Sequence, residues 1–282
     1  MRKHGYVQNF CKNNGIDCYV KKVNVIEKSV IEKIGTEQAG RNARYCFFEE
    51  VLQKSNSNKI ATAHNANDNA ETVLMNIFRG SGTSGIKGIE PIRDGKFIRP
   101  IIECERSEIE EYCKKYNLNP KIDMSNFENI YTRNKIRNII IPEIKELFNP
   151  NIIQSLNKLS SLARQESDFL QTYTENVMKN ELIVKNNNEN INMCTYSNLG
   201  TNSEDIKLTL DLKKFNNLNK VIQNRVVLKS IEIVLGSTQG IEKVHVDDIV
   251  TMCKRNIGNK FLTPKKNIKV MVKCGKILFQ KI

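Results

Sequence analysis

The stretch Lys59-Ile-Ala-Thr-Ala-His-Asn-Ala-Asn-Asp-Asn-Ala-Glu-Thr-Val-Leu74 decides the fold. Its first five residues, Lys59 to Ala63, have the small and branched composition of a strand buried on both faces of a parallel sheet. Directly afterwards Ala70, Val73, Leu74, Ile77 and Phe78 recur at helical spacing and make one apolar stripe. A strand that runs into a helix is a βα unit, and open α/β sheets bind ligands at the carboxyl ends of their strands. Polar residues crowd that junction. His64 stands at the strand tip, while Asp68, Glu71 and Thr72, three and four residues apart, share one helical face. Two carboxylates and an imidazole so placed can hold a hydrated magnesium ion, position a nucleophilic amine or contact a nucleotide. They equally suit helix-start chemistry, with acids favoured by the dipole and a histidine satisfying a loop carbonyl. A structural zinc site is disfavoured because no cysteine lies nearby.

Working outward, Tyr6, Val7, Phe10 and Cys11 share a helical face, Cys18 to Val25 has strand composition, and Arg41 to Gln53 resumes helical spacing. Downstream, Asp94-Gly95 between apolar runs predicts a hairpin with a type I′ turn. Ser107 with Glu110 predicts a capping box opening a helix to about Tyr116. Ile152, Leu156, Leu159, Ala163, Leu170 and Val177 predict one long helix or two consecutive ones, after which Asn186-Asn-Asn-Glu-Asn190 reads as a linker or disordered insertion. Leu208 to Leu212 alternates as a strand, Val221 to Leu235 and Val244 to Cys253 look helical, and Ile268 to Phe279 suggests a hairpin turning at Cys274-Gly275.

The bulk composition narrows the partners. Of the 282 residues 39% are hydrophobic, with 11 Phe and 8 Tyr, enough for a packed core and against wholesale disorder. Lys and Arg number 44 against 31 Asp and Glu, and the excess of +13 points to a polyanionic partner. No apolar run approaches the roughly 20 residues that cross a bilayer, and Gln8 and Asn9 interrupt any signal-peptide core, so the expected location is the cytoplasm, away from membranes. Eight cysteines without a C-x-x-C pair read as reduced structural thiols. Arg41 with Arg44 and Arg133 with Arg137 form close pairs whose forks suit phosphate, although solvated helix faces also produce such pairs. Gly80, Gly82 and Gly85 have G-x-G-x-x-G spacing but follow a helix instead of a strand, so a glycine helix cap with a flexible loop is expected. Exposed amides beside Arg79 can still hold phosphate.

Six runs occur here in one fixed order: Arg41-x-x-Arg44-Tyr45, Thr62-Ala63-His64-x-x-x-Asp68-x-x-Glu71-Thr72, Arg79-Gly80-Ser81-Gly82, Ile98-Arg99-Pro100, Asp123-x-Ser125-Asn126 and Tyr131-x-Arg133-Asn134-x-x-Arg137. With Pro142 beyond them, the series across residues 37–142 resembles the tRNA(Ile)-lysidine synthetase family of the PP-loop ATP-pyrophosphatase superfamily, more loosely from 151 onward. The resemblance implies an α/β fold in which a PP-loop parallel sheet with helices precedes a smaller helical or α+β substrate-binding region. The implied division is 1–150, a helical connection over 151–205 and a tRNA-binding region over 206–282. It also implies a two-step ligation: ATP adenylates the 2-oxygen of the wobble cytidine of a minor isoleucine tRNA, and the amine of free L-lysine displaces AMP. ATP and Mg2+ are the implied cofactors, tRNA and lysine the implied partners, with a second copy of the chain as a further candidate. By motif correspondence His64, Asp68, Glu71 and Arg79 are catalytic candidates, Arg41, Arg44, Gly80 and Gly82 nucleotide-binding ones, and Arg133 and Arg137 tRNA-binding ones, with no metal ligand assigned.

One departure is large. The family's phosphate loop, Ser-Gly-Gly-x-Asp-Ser, occurs nowhere in these residues, so a truncated frame or gene fragment is the expectation. A catalytically silent tRNA-binding remnant is therefore the alternative reading. Cytidine thiolation enzymes of the same superfamily are disfavoured, because they use paired cysteines and no C-x-x-C exists here.

Overall fold

The computed structural model describes residues 3–121, 129, 131–184, 207–256 and 261–282, in two units, Met1–Arg164 and Gln165–Ile282. Asp123, Ser125, Asn126 and the tract Asn186 to Asn190 lie outside the described residues.

The first unit opens with α1 (Lys3–Asn13), α2 (Val25–Glu32) and α3 (Thr36–Lys54). The strand expected over Cys18 to Val25 does not form. Strand composition becomes a strand only beside a partner ladder, and among the described residues none pairs here. Asn24 instead caps α2, its side chain accepting from the Glu27 amide.

A three-stranded sheet follows in the order β1 (Ile60–Ala61), β3 (Phe97–Ile98), β2 (Ile92–Arg93). β1 runs parallel to β3, with Ile60 opposite Phe97, and β2 runs antiparallel to β3. Asp94 and Gly95 join β2 to β3 at φ 54° and 63°, the paired left-handed conformation that a type I′ turn demands. β1 is shorter than expected and is not buried on both faces: Ala61 and Ala63 are exposed, because that face opens onto a cleft.

The helix after β1, α4 (Ala66–Phe78), buries Ala66, Ala70, Val73 and Leu74 against Ile136, Ile141, Ile153 and Leu156. Ile77 and Phe78, expected in that stripe, are 41% and 60% exposed, since the last turn lies beyond this cluster. A polar anchor sets the helix's position. Buried Asn69 accepts from the Ile89 amide at 2.6 Å and donates to Asn157 Oδ1 at 2.6 Å, on α9 (Ile152–Val177). Gly88 makes room for it: its φ is +64°, and a Cβ there would lie 2.1 Å from Asn69 Oδ1.

Between these lie α5 (Thr83–Ile86), α6 (Arg106–Lys115), α7 (Thr132–Lys135) and α8 (Ile141–Leu147), with a π-helical turn over Ile136–Ile140. α6 starts ahead of the predicted Ser107–Glu110 box. Glu108 accepts from the Glu105 amide at 2.6 Å, and the Arg106 amide donates to Asn67 Oδ1 at 2.9 Å, tying the helix start to α4.

The second unit is an antiparallel sheet in the order β4 (Lys207–Asp211), β7 (Lys276–Lys281), β6 (Ile268–Lys273), β5 (Phe261–Lys265), packed with α10 (Leu212–Asn216), α11 (Lys220–Leu235) and α12 (Lys243–Lys254). Leu208, Leu210, Ile268, Val270, Val272, Ile277 and Phe279 alternate into its core and meet Val226, Val227, Ile231, Ile249 and Val250. Cys274 and Gly275 turn the predicted hairpin at φ 49° and 69°. Among the described residues no helix is long and apolar enough to cross a membrane.

Candidate active-site cleft

Three sequence-distant segments of the first unit line one cleft of about 560 Å3: Arg41, Arg44, Tyr45 and Phe48 from α3, Ala61 to His64 and Asp68 from the β1–α4 junction, and Arg133, Asn134 and Arg137. The junction is stiff. Asn65 is the N-cap of α4, its side chain accepting from the Asp68 amide at 2.9 Å while Asp68 Oδ2 accepts from the Asn65 amide at 3.1 Å. Thr72, grouped with the carboxylates by spacing, spends its hydroxyl on the Asp68 carbonyl at 2.8 Å.

The carboxylates have a second set of partners. Glu71, only 1% exposed, accepts from Arg133 Nε at 2.8 Å, from Arg137 Nε at 2.6 Å and from Arg137 NH2 at 2.8 Å. Asp68 Oδ1 accepts from both guanidiniums, at 3.3 and 3.1 Å. Such forked, charge-assisted contacts are the strong kind. The hydrogen bond to Glu71 is the main cause that pushes the Arg137 guanidinium above its ordinary value, with burial opposing. α7 and the π-helical turn after it carry Arg133 and Arg137 to this pair, and π turns recur at functional sites. Asp68 lines the cleft, whereas Glu71 lies behind the arginines and does not.

His64 is half-buried, with Nδ1 2.9 Å from the Thr62 hydroxyl. Burial pulls its pKa below the usual 6.5; Asp68 opposes this, and Arg99, Arg133 and Arg41 add to it, so the imidazole is neutral at pH 7. Arg41 and Arg44, on α3, are exposed in the same cleft, and among the described residues neither has a carboxylate partner. The cleft therefore sets four guanidiniums against Asp68 and the hidden Glu71. It favours an anion.

Arg79, Gly80 and Gly82 do not line this cleft. Gly80, at φ +72°, ends α4: its amide donates to Ile77 O and that of Ser81 to Asn76 O, both at 2.9 Å. Arg79 is the exposed cap residue before it, and Gly82 is the N-cap of α5. Tyr45 and Asn134, quoted in the motif runs without a role, do belong to the cleft, and Phe48 joins them with no motif to flag it.

The comparisons identify this part of the chain: the PP-loop domain family matches residues 1–144, and the chain belongs to it. The α/β class expected from the sequence is the one observed. The chain is 39% identical over 273 residues to the tRNA(Ile)-lysidine synthase of Clostridioides difficile (strain 630), covering 97% of this chain and 55% of that protein. It is also 39% identical over 272 residues to the tRNA(Ile)-lysidine synthase of Clostridium acetobutylicum, covering 96% and 54%. The chain thus spans about half the length of the curated relatives it matches.

Proposed function

We propose that this chain carries the tRNA-modifying site of a lysidine-forming ligase, which joins free L-lysine to the wobble cytidine of a minor isoleucine tRNA at the expense of ATP. One observation carries the reading: Arg41, Arg44, His64, Asp68, Arg133 and Arg137, named by motif from three separate segments, converge on one basic cleft. The cytidine 2-oxygen attacks the α-phosphorus of ATP and pyrophosphate leaves. The lysine amine then attacks the activated carbon and AMP leaves.

Arg41 and Arg44, free of carboxylates among the described residues, suit the phosphates of the nucleotide or tRNA. Asp68, the one carboxylate on the cleft wall, keeps an acceptor site for the lysine ammonium. Neutral His64 can take the proton that the attacking amine must lose. Glu71 acts as a positioning residue, holding Arg133 and Arg137 against the cleft, where they meet tRNA. Arg79, Gly80 and Gly82 would act from outside the cleft, on phosphate reaching the end of α4.

Magnesium, part of the same expectation, does not fit on these carboxylates as they stand. Their oxygens already accept six hydrogen bonds from Asn65, Arg133 and Arg137, which leaves on the cleft wall a single open position at Asp68 Oδ2, enough for one ammonium hydrogen bond and too few to anchor a dication beside two guanidiniums. Among the described residues no group of three or more His, Cys, Asp and Glu forms a metal site. The steps above use side chains alone. The cytoplasm, where tRNA is modified, is the proposed location, and the proposed organisation assigns 1–150 to the nucleotide domain, 151–205 to a connection and 206–282 to tRNA binding, with a homodimer as the assembly.

The test compares this chain with a version in which Ser-Gly-Gly-x-Asp-Ser and its strand are placed ahead of residue 1. Lysine- and tRNA-dependent AMP release is expected from the extended version, with tRNA binding alone from the present chain. An extended version that binds tRNA without releasing AMP would favour the silent remnant instead.

A further inference from the structure

Beside the cleft, and sharing Arg41 and Tyr45 with it, stands a second group of cations. The Arg93 guanidinium lies 4.7 Å from the Tyr45 ring centre and 4.6 Å from that of Phe97, while Arg41 lies 5.1 Å from the same Tyr45 ring. Phe48 and Phe97 meet Tyr45 edge-on at 5.9 and 5.1 Å. Next to Arg93 and Arg41 stands Arg99, 7% exposed, which donates to the Glu90 carbonyl and leaves its Nε without a hydrogen-bond partner. Lys59 adds a fourth cation at the hairpin, its Nζ donating to the Gly95 carbonyl. The nearby carboxylates are Glu90 and Asp94, and Asp94, 70% exposed, meets Arg93 Nε at 3.2 Å.

Like charges gathered this closely repel one another, and the aromatic faces offset only part of that cost. Ring contact restrains the Arg93 guanidinium, and with Nε given to Asp94 its two terminal NH2 groups remain to meet an oxyanion. Tyr45 is already occupied by two arginines and two aromatic edges, so it serves as their support and not as a platform for a base. Arg41 belongs both to this corner and to the cleft, which makes the two one continuous basic strip. Resting on the reading of a tRNA substrate, we infer that Arg93 and Arg41, gathered on Tyr45 with the charge of buried Arg99 close by, bind a backbone phosphodiester of the RNA strand that flanks the reacting nucleotide as it leaves the cleft.

The experiment measures binding of a labelled minor isoleucine tRNA transcript to the full chain by fluorescence anisotropy from 0.05 to 0.3 M KCl, with Arg93→Gln and Arg93→Lys variants matched by thermal melting. One phosphate contact on single-stranded RNA changes the salt slope by about 0.7, which corresponds to about fivefold in affinity at 0.1 M salt. Arg93→Gln should show that loss and the shallower slope, and Arg93→Lys should retain most of the slope. Equal affinity and slope in Arg93→Gln overturn the inference, as does a loss confined to binding of ATP or inorganic pyrophosphate, which would assign the corner to the nucleotide. A second arm uses a 15-nucleotide single-stranded RNA. If the wild-type chain ignores the tRNA but binds this strand through Arg93, the corner stands and the proposed tRNA substrate falls.

Discussion

Replacing Glu71 with glutamine removes one charge and almost no volume, so it isolates what the buried carboxylate does for the cleft. Glutamine keeps one acceptor but turns an NH2 group toward guanidiniums that need acceptors. Removing one partner of a fully buried ion pair costs about 3–5 kcal/mol. Here the Arg133 and Arg137 side chains are 37% and 23% exposed, and Asp68 still faces both, so water and the second carboxylate recover part of the loss. A destabilisation of about 2 kcal/mol is expected after that discount. For a unit of this size that is a fall in Tm of about 4–8 °C. Thermal and urea melts of Glu71→Gln, Arg137→Met and the double variant complete a cycle. Coupling above about 1 kcal/mol is expected between residues in direct contact. A Glu71→Gln Tm within about 1 °C of wild type, with coupling under about 0.5 kcal/mol, would refute the assignment of Glu71 as the anchor of both arginines.

Three further outcomes follow from the same structure. His64 should titrate below 6.5 by NMR; because the native state then binds fewer protons than the unfolded chain, its stabilising contribution is full above about pH 6.5 and is lost as acid protonates the ring, and His64→Gln should flatten that part of the Tm–pH curve. A titration midpoint above 6.5 would contradict this. Gly88→Ala should cost about 2–3 kcal/mol, from left-handed strain plus displacement of Asn69 from the Ile89 amide, and a melt unchanged from wild type would show that the anchor is dispensable. Burial pushes the Cys253 thiol up to about 12, so mass-spectrometric mapping after iodoacetamide should find exposed Cys18, Cys46 and Cys274 labelled and Cys253 spared; labelling of Cys253 at the rate of Cys274 would overturn that placement.

What could be read from the chain and what could not divide along physical lines. The α4 pattern, the long helix over Ile152–Val177 and both left-handed turns, Asp94-Gly95 and Cys274-Gly275, are written locally, in periodicity and in residues that tolerate positive φ. Cys18 to Val25 misled because strand composition says nothing of whether a neighbour exists to pair with. β5 was missed because Pro264 weakens a strand pattern, yet an edge strand tolerates proline. At the site, motif order identified Arg41, Arg44, His64, Asp68, Arg133 and Arg137, which the fold brings to one cleft. Their pairing was invisible: Arg133 and Arg137 reach Glu71 across 62 and 66 residues, a distance that no local spacing encodes. The Arg93–Tyr45–Arg41 stack has the same origin, a contact between a helix and a hairpin far apart in sequence.

The proposal that these arginines line the cleft that takes the wobble nucleotide is tested most directly by photocrosslinking a minor isoleucine tRNA that carries 4-thiouridine in place of the wobble cytidine. Adducts are predicted within residues 41–48, 61–68 or 131–137, the three segments that line the cleft. Adducts found solely within residues 207–282 would contradict the account.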